Sequence, residues 1–182
     1  MPVSTRPVWV GLVVVPTLLI AGCGSATPES APSDPPLASA TPSLEPTGVA
    51  SQDALAAYRS MWGAFVEAAK TSDPDAPDLR IHTSGQALKL IVSSLYSNRD
   101  QGKVTLGDLD IDPKVTEVKP AQAPTEVAVL DCVDSTNWLE YKASGGLWDD
   151  KPGGKHRTTA TVILTDSTWK VSSFILEESG TC

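Results

Sequence analysis

Residues 157–177, RTTATVILTDSTWKVSSFILE, decide the fold. Two β-branched and aromatic runs, Arg157 to Thr165 and Thr168 to Glu177, flank the dipeptide Asp166-Ser167, whose short polar side chains suit a tight turn between antiparallel strands. Working towards the N-terminus, the apolar period stays near 2 back to Gly102. Further strands are expected over Lys103 to Leu109, Lys114 to Lys119, Thr125 to Val133 and Trp138 to Ala143. In the third of these, Val127, Val129 and Val133 alternate with Glu126, Cys132 and Asp134.

Before Gly102 the period is helical. In SQDALAAYRSMWGAFVEAA (51–69), Leu55, Tyr58, Trp62, Phe65 and Ala69 recur at three- and four-residue steps, and Met61 and Val66 widen the stripe. Ser51 is the expected N-cap, with Asp53 favourable in the first turn. TSDPDAPD (71–78) ends this helix, because its two prolines cannot continue one. A second helix is expected from about Ser84 to Asn98, with Ala87, Leu88, Ile91, Leu95 and Tyr96 as its apolar face. Helices first and antiparallel strands afterwards predict an α+β domain over 51–182, with one curved sheet covering the helices.

Residues 24–50 hold six prolines among mostly Ala, Ser and Thr, a composition that cannot bury enough apolar surface to fold. With Cys23 they are expected to form a tether, 23–50, reaching up to about 80 Å if fully extended as polyproline II. Ahead of them, residues 1–22 carry one positive charge, Arg6, and an apolar run from Val8 to Ile20 that is too short to span a bilayer but suits a signal-peptide core. The ending Leu19-Ile20-Ala21-Gly22-Cys23 resembles the lipobox of bacterial lipoproteins. That resemblance implies cleavage before Cys23, a diacylglyceryl group on its sulfur and a membrane-anchored, extracytoplasmic protein. The plainer alternative is an ordinary secretory signal with a chance cysteine.

Cleavage removes Arg6 and takes the net charge from −8 to −9. So acidic a chain is unsuited to nucleic acid or to electrostatic docking on anionic lipid, which leaves the acyl anchor as the membrane attachment. Two cysteines remain, Cys132 and Cys182, and outside the cytoplasm an even pair is most simply a disulfide. A metal pair or redox couple is the alternative, although neither role uses so wide a spacing.

The Tyr- and Trp-bearing first helix, the short second helix and the ending LTDSTWKVSSF (164–174) together resemble the NTF2-like (cystatin-like cone) domains of actinobacterial lipoproteins. The segment DCVD (131–134) with a C-terminal Cys resembles the same group. The resemblance covers about 51–182 and implies two or three helices in the concave face of a curved, mostly antiparallel sheet, closing a pocket. Enzymes of that superfamily place an Asp, His or Tyr inside the cone for proton transfer, which makes Asp131, Tyr58, Tyr96 and His82 the residues to weigh. Asp131 breaks the apolar pattern of its strand, but the simpler expectation sets it at a frayed strand end, facing water. Tyr58 belongs to the helical stripe and is expected to pack. His82 stands alone in a polar connector, and His156 is expected in a solvated basic turn between Lys155 and Arg157.

No familiar catalytic or nucleotide-binding signature is present, and no cofactor or metal is expected. Ser167-Thr168-Trp169-Lys170 matches S-x-x-K but falls in a hairpin instead of opening a helix. Asp108, Asp110 and Asp112 lack the glycine and terminal acid of a calcium loop, since Pro113 and Lys119 occupy those positions. The glycine-rich stretch SGGLWDDKPGGKH (144–156) carries a solitary Trp148, expected either to meet a ligand or partner or to fold back beside Trp138.

Three functions are therefore carried forward. The first is a non-enzymatic, tethered module for a small apolar ligand or an envelope protein. The second is an NTF2-like hydrolase, isomerase or dehydratase using Asp131 with Tyr58 or Tyr96. The third is a scaffold whose cone is filled by Trp62, Phe65 and Trp169.

Overall fold

The computed structural model describes residues 45–182. The expected signal peptide, Cys23 and the expected tether as far as Leu44 lie outside the described residues. The elements run α1 (Pro46–Ala69), a short 3-10 turn (Pro77–Arg80), α2 (Gly85–Gln101), β1 (Lys103–Gly107), β2 (Lys114–Lys119), β3 (Glu126–Asp134), β4 (Trp138–Lys142), β5 (Lys155–Thr165) and β6 (Thr168–Leu176). The α+β class and the succession of helices and strands along the chain follow the sequence expectation.

α1 starts five residues before the expected N-cap. Pro46 stands in its first turn, where a fixed φ and a missing N–H cost nothing. Ser51 is inside the helix, with its hydroxyl donating to the Thr47 carbonyl at 2.6 Å. Ala50 is buried, so residues 46–50 belong to the folded domain and not to the tether. α2 keeps Ala87, Ile91 and Leu95 inside, a narrow i, i+4, i+8 stripe. Tyr96 lies one residue round from Leu95 and is 45% exposed, with the Arg99 guanidinium 4.6 Å over its ring, so it leaves the interior to which the sequence assigned it.

β2, β3, β5 and β6 form a four-stranded antiparallel sheet in that order. β1 and β4 form a separate antiparallel pair, where one continuous sheet was expected. The chain turns back after β3, with the Trp138 N–H on the Ser135 carbonyl, and this aims β4 at β1 and leaves β3's edge to β5. Asp110 and Asp134 exchange two backbone hydrogen bonds that tie the connector after β1 to the end of β3. The β5–β6 turn is as read: Asp166 and Ser167 both have positive φ (49° and 63°), the left-handed pair that matches strand twist in a two-residue hairpin. Its S-x-x-K lysine, Lys170, donates to the Arg80 carbonyl at 3.0 Å.

The core lies between α1, α2 and the inner face of the large sheet. Tyr58, Met61 and Trp62 of α1 meet Val127 and Val129 of β3, Val162 of β5, and Val171 and Phe174 of β6. The alanines at 50, 54, 57 and 68 are buried on α1, and their small side chains let the helix lie close to the sheet. Cys132 and Cys182 form a disulfide with a Cα–Cα distance of 6.0 Å. The C-terminal tail reaches it by pairing along β5: Glu177 N–H donates to the Arg157 carbonyl at 3.0 Å, and Gly180 N–H to the Lys155 carbonyl at 2.8 Å.

Candidate functional site

At the end of the cone where β4 faces α2 lies a cavity of about 590 Å³. Trp62 and Phe65 of α1, Ile91 of α2, Trp138 of β4 and Phe174 of β6 form its apolar walls. The rings pack as a chain: Trp62 to Phe174 at 5.4 Å, Trp62 to Phe65 at 6.1 Å and Phe65 to Trp138 at 5.1 Å between centroids. Leu90, Ile175 and Leu176 line the cavity yet remain exposed, and so mark its opening. Trp62 and Phe65 therefore wall a cavity rather than fill the cone, and Trp169 is buried outside its lining.

Polar side chains enter the wall at a few points. Glu140 is held by Lys103 through contacts of 2.9 and 3.0 Å, and the Lys103 side chain is only 11% exposed. Trp148 folds over this pair, with its ring centroid 5.3 Å from the Lys103 ammonium and its backbone N–H donating to the Glu140 backbone carbonyl at 2.9 Å. It is 37% exposed and absent from the cavity wall, so it neither lids the mouth nor enters the core beside Trp138. The indole Nε1 of Trp138, a wall residue, is buried without a hydrogen-bond partner among the described residues.

Ser135 and His156 stand side by side in the wall, and the sequence reading singled out neither as a pair. Their Oγ and Nε2 are 3.2 Å apart. On the far side of the imidazole, Nδ1 meets the Glu177 carbonyl oxygen at 2.9 Å. A carbonyl only accepts, so in the neutral ring Nδ1 carries the hydrogen and Nε2 presents its lone pair to the serine hydroxyl. His156 is thus half-buried in β5 and tied on both sides, not part of a solvated turn. The Ser135 Oγ also accepts the Gly154 N–H at 3.0 Å, which fixes the loop against it. Gly153 is required there, because a Cβ would overlap the Ser135 carbonyl oxygen. Register makes the pair: Val133 lies opposite His156 across β3 and β5, so the residue two beyond Val133 meets the imidazole diagonally. DS after one strand and GGKH before another carry that signal only once the strands are known to be neighbours.

The residues weighed for proton chemistry lie away from this pair. Asp131 is not at a frayed end facing water: it is 4% exposed and shares β3's inner face with Val127, Val129 and Val133. Its Oδ1 accepts the Asp112 and Cys132 N–H groups, both at 2.8 Å, and Oδ2 has no partner among the described residues. Tyr58 is fully buried. Burial pushes its phenol far above the ordinary range, Trp62 offsets part of this, and the neighbouring Asp131 carboxylate adds to it. Asp131 and Tyr58 are thus neighbours in the interior, but neither lines the cavity, and Tyr58 stays protonated at any ordinary pH. Tyr96 is outside on α2, and His82 Nδ1 meets the Trp169 carbonyl at 3.4 Å, tying the connector to β6. Asp112 pairs with Lys114 at 3.4 Å, and among the described residues no group of three or more His, Cys, Asp or Glu side chains is placed to hold a metal ion.

No family profile matches the chain, and no curated protein matches it. Among solved structures it is similar to the intermembrane space region of the chloroplast protein ARC6, at 16% identity and a TM-score of 0.43, covering 71% of this chain and 97% of that one. It is also similar to a protein of unknown function with a cystatin-like fold from Nostoc punctiforme, at 10% identity and a TM-score of 0.44, covering 76% and 97%. A third likeness is to a domain with a cystatin-like fold from the same organism, at 14% identity and a TM-score of 0.42, covering 72% and 79%. The α+β arrangement of this chain, two helices against a curved antiparallel sheet, is what its own strand order and packing give.

Proposed function

We propose that the chain is a lipid-anchored, extracytoplasmic module whose cone cavity binds a small apolar ligand. One observation carries the ligand reading: a cavity of about 590 Å³ walled by Trp62, Phe65, Trp138 and Phe174 and open between Leu90, Ile175 and Leu176. That volume falls within the range of small-molecule sites, and aromatic walls with a few polar groups are their usual composition. The anchor rests on the lipobox-like sequence ending at Cys23, and the Cys132–Cys182 disulfide supports an oxidising compartment. Among the described residues no helix is long and apolar enough to cross a membrane.

The neutral fluorophore N-phenylnaphthylamine tests the ligand reading on the full chain carrying Cys23→Ala. Saturable enhancement with a micromolar Kd is expected, with the affinity weakened at least tenfold in Ser94→Trp, which places a large ring on an exposed position of the cavity wall. Flat fluorescence with the wild-type cavity sinks the reading. An envelope-protein partner is the second reading, favoured by Trp148, a large aromatic left 37% exposed over Lys103. Proton chemistry by Asp131 with Tyr58 draws no support from the cavity, whose wall neither residue reaches.

A further inference from the structure

We propose that Ser135 and His156 form a nucleophile–base pair that cleaves carboxylic esters whose apolar part occupies the cavity. The proposal rests on the ligand reading above and names the substrate class of that same site. Two features of the wall point to it. The Ser135 Oγ lies 3.2 Å from His156 Nε2, within reach for proton transfer, and both residues line the cavity. The Glu177 carbonyl holds Nδ1 at 2.9 Å, which fixes the tautomer with the Nε2 lone pair on the serine side. This is the arrangement of an activated hydroxyl: a nucleophile, a base, and a third group that orients the base.

The chemistry balances without a further reactant besides water. Ser135 Oγ attacks the ester carbonyl carbon as its proton passes to His156 Nε2. The C–O bond to the alcohol then breaks, and the imidazolium returns the proton to the departing alkoxide, releasing the alcohol and leaving an acyl-serine. Water, deprotonated by the same Nε2, cleaves that acyl group as a carboxylic acid and restores the Ser135 hydroxyl. A peptide carbonyl in place of a carboxylate behind the imidazole stabilises the imidazolium less, so turnover is slow. The Gly154 carbonyl, which takes the Ser135 N–H at 2.9 Å, also lies 3.0 Å from the hydroxyl and accepts from it, so attack begins with the hydroxyl turning from that carbonyl to Nε2.

The test uses the full chain carrying Cys23→Ala. It is treated with a fluorophosphonate bearing an alkyl chain, and with p-nitrophenyl butyrate, while N-phenylnaphthylamine binding is followed in parallel. A phosphonyl adduct on Ser135 by peptide mass spectrometry, with ester turnover lost in Ser135→Ala, is the expected result. His156→Asn keeps an N–H for the Glu177 carbonyl and removes the base, so adduct formation falls at least 100-fold while the melting temperature holds. Probe binding without an adduct on Ser135 overturns the nucleophile and leaves the ligand site standing. Absence of both overturns the two together. An adduct that forms at the same rate in His156→Asn overturns the pairing.

Discussion

Removing the Cys132–Cys182 bridge probes more of this molecule than any other change of two atoms. The bond joins residues 50 positions apart, so it closes a loop of about 51 residues, worth about 4 kcal/mol in the chain-entropy treatment. Unfolding entropy for the 138 residues of 45–182 is about 0.3 kcal/mol per degree, so the double variant Cys132→Ser/Cys182→Ser should melt about 13 °C lower. Scanning calorimetry of the oxidised wild type, the reduced wild type and the variant measures this, and the last two should coincide. The structure adds a local consequence. The tail that ends in Cys182 lies along β5, with the Arg157 N–H on the Thr181 hydroxyl at 2.9 Å and the Glu177 carbonyl on His156 Nδ1. Its residues are mostly exposed, so among the described residues such hydrogen bonds and the disulfide hold it. Releasing it frees the imidazole to turn, and fluorophosphonate labelling of Ser135 should drop with the bridge. A melting temperature within 3 °C of wild type would refute the loop-entropy reasoning and show that the tail's own hydrogen bonds hold the terminus.

Two further outcomes follow from other parts of the chain. Tyr58→Phe removes a buried hydroxyl that has no hydrogen-bond partner among the described residues, so urea unfolding should show stability raised by about 1 kcal/mol; a loss of that size would mean the hydroxyl is bonded to Asp131. Metabolic labelling with an alkynyl palmitate should mark the chain in an actinobacterial host and vanish in Cys23→Ala, whereas labelling that persists would remove the anchor.

Much of the architecture is legible because the signals that set it are local. The helical stripe through Tyr58, Trp62 and Phe65, the prolines after Ala69 and the Asp166-Ser167 turn each constrain only their own neighbourhood, and each appears where its pattern says. The errors arise where a tertiary contact outweighs the local pattern. Pro46 to Ala50 look like tether by composition, yet a buried Ala50 continues α1 over them. Asp131 looks like a strand end by its charge. Inside, the Asp112 and Cys132 amides supply hydrogen bonds to one carboxylate oxygen, which offsets part of the cost of burying it. The Asp112 amide cannot be paired with Asp131 from the sequence, since it is 19 residues away on the far side of β2.

The cavity itself turns on a single unpaired residue. Along β6, Trp169 and Val171 face inward, and strict alternation would send Ser173 and Ile175 in after them and Phe174 out to solvent. Instead the ladder to β5 slips, with Val162 opposite Val171 and Thr161 opposite Ser173, so Ser172 is left over as a bulge, its hydroxyl on the Thr161 carbonyl at 3.1 Å. One extra residue inverts the faces beyond it. Phe174 turns in to wall the cavity beside Trp62, and Ile175 turns out to 65% exposure at its mouth. The same inversion carries the strand on to Glu177, whose carbonyl meets His156. A pattern of period 2 contains no mark of where it will slip, so the residues that shape the site are those a sequence reading assigns to the wrong face. The chemistry of Ser135 and His156 was hidden for the same reason: their meeting depends on how β3, β5 and the tail are laid side by side, and not on any spacing within one of them.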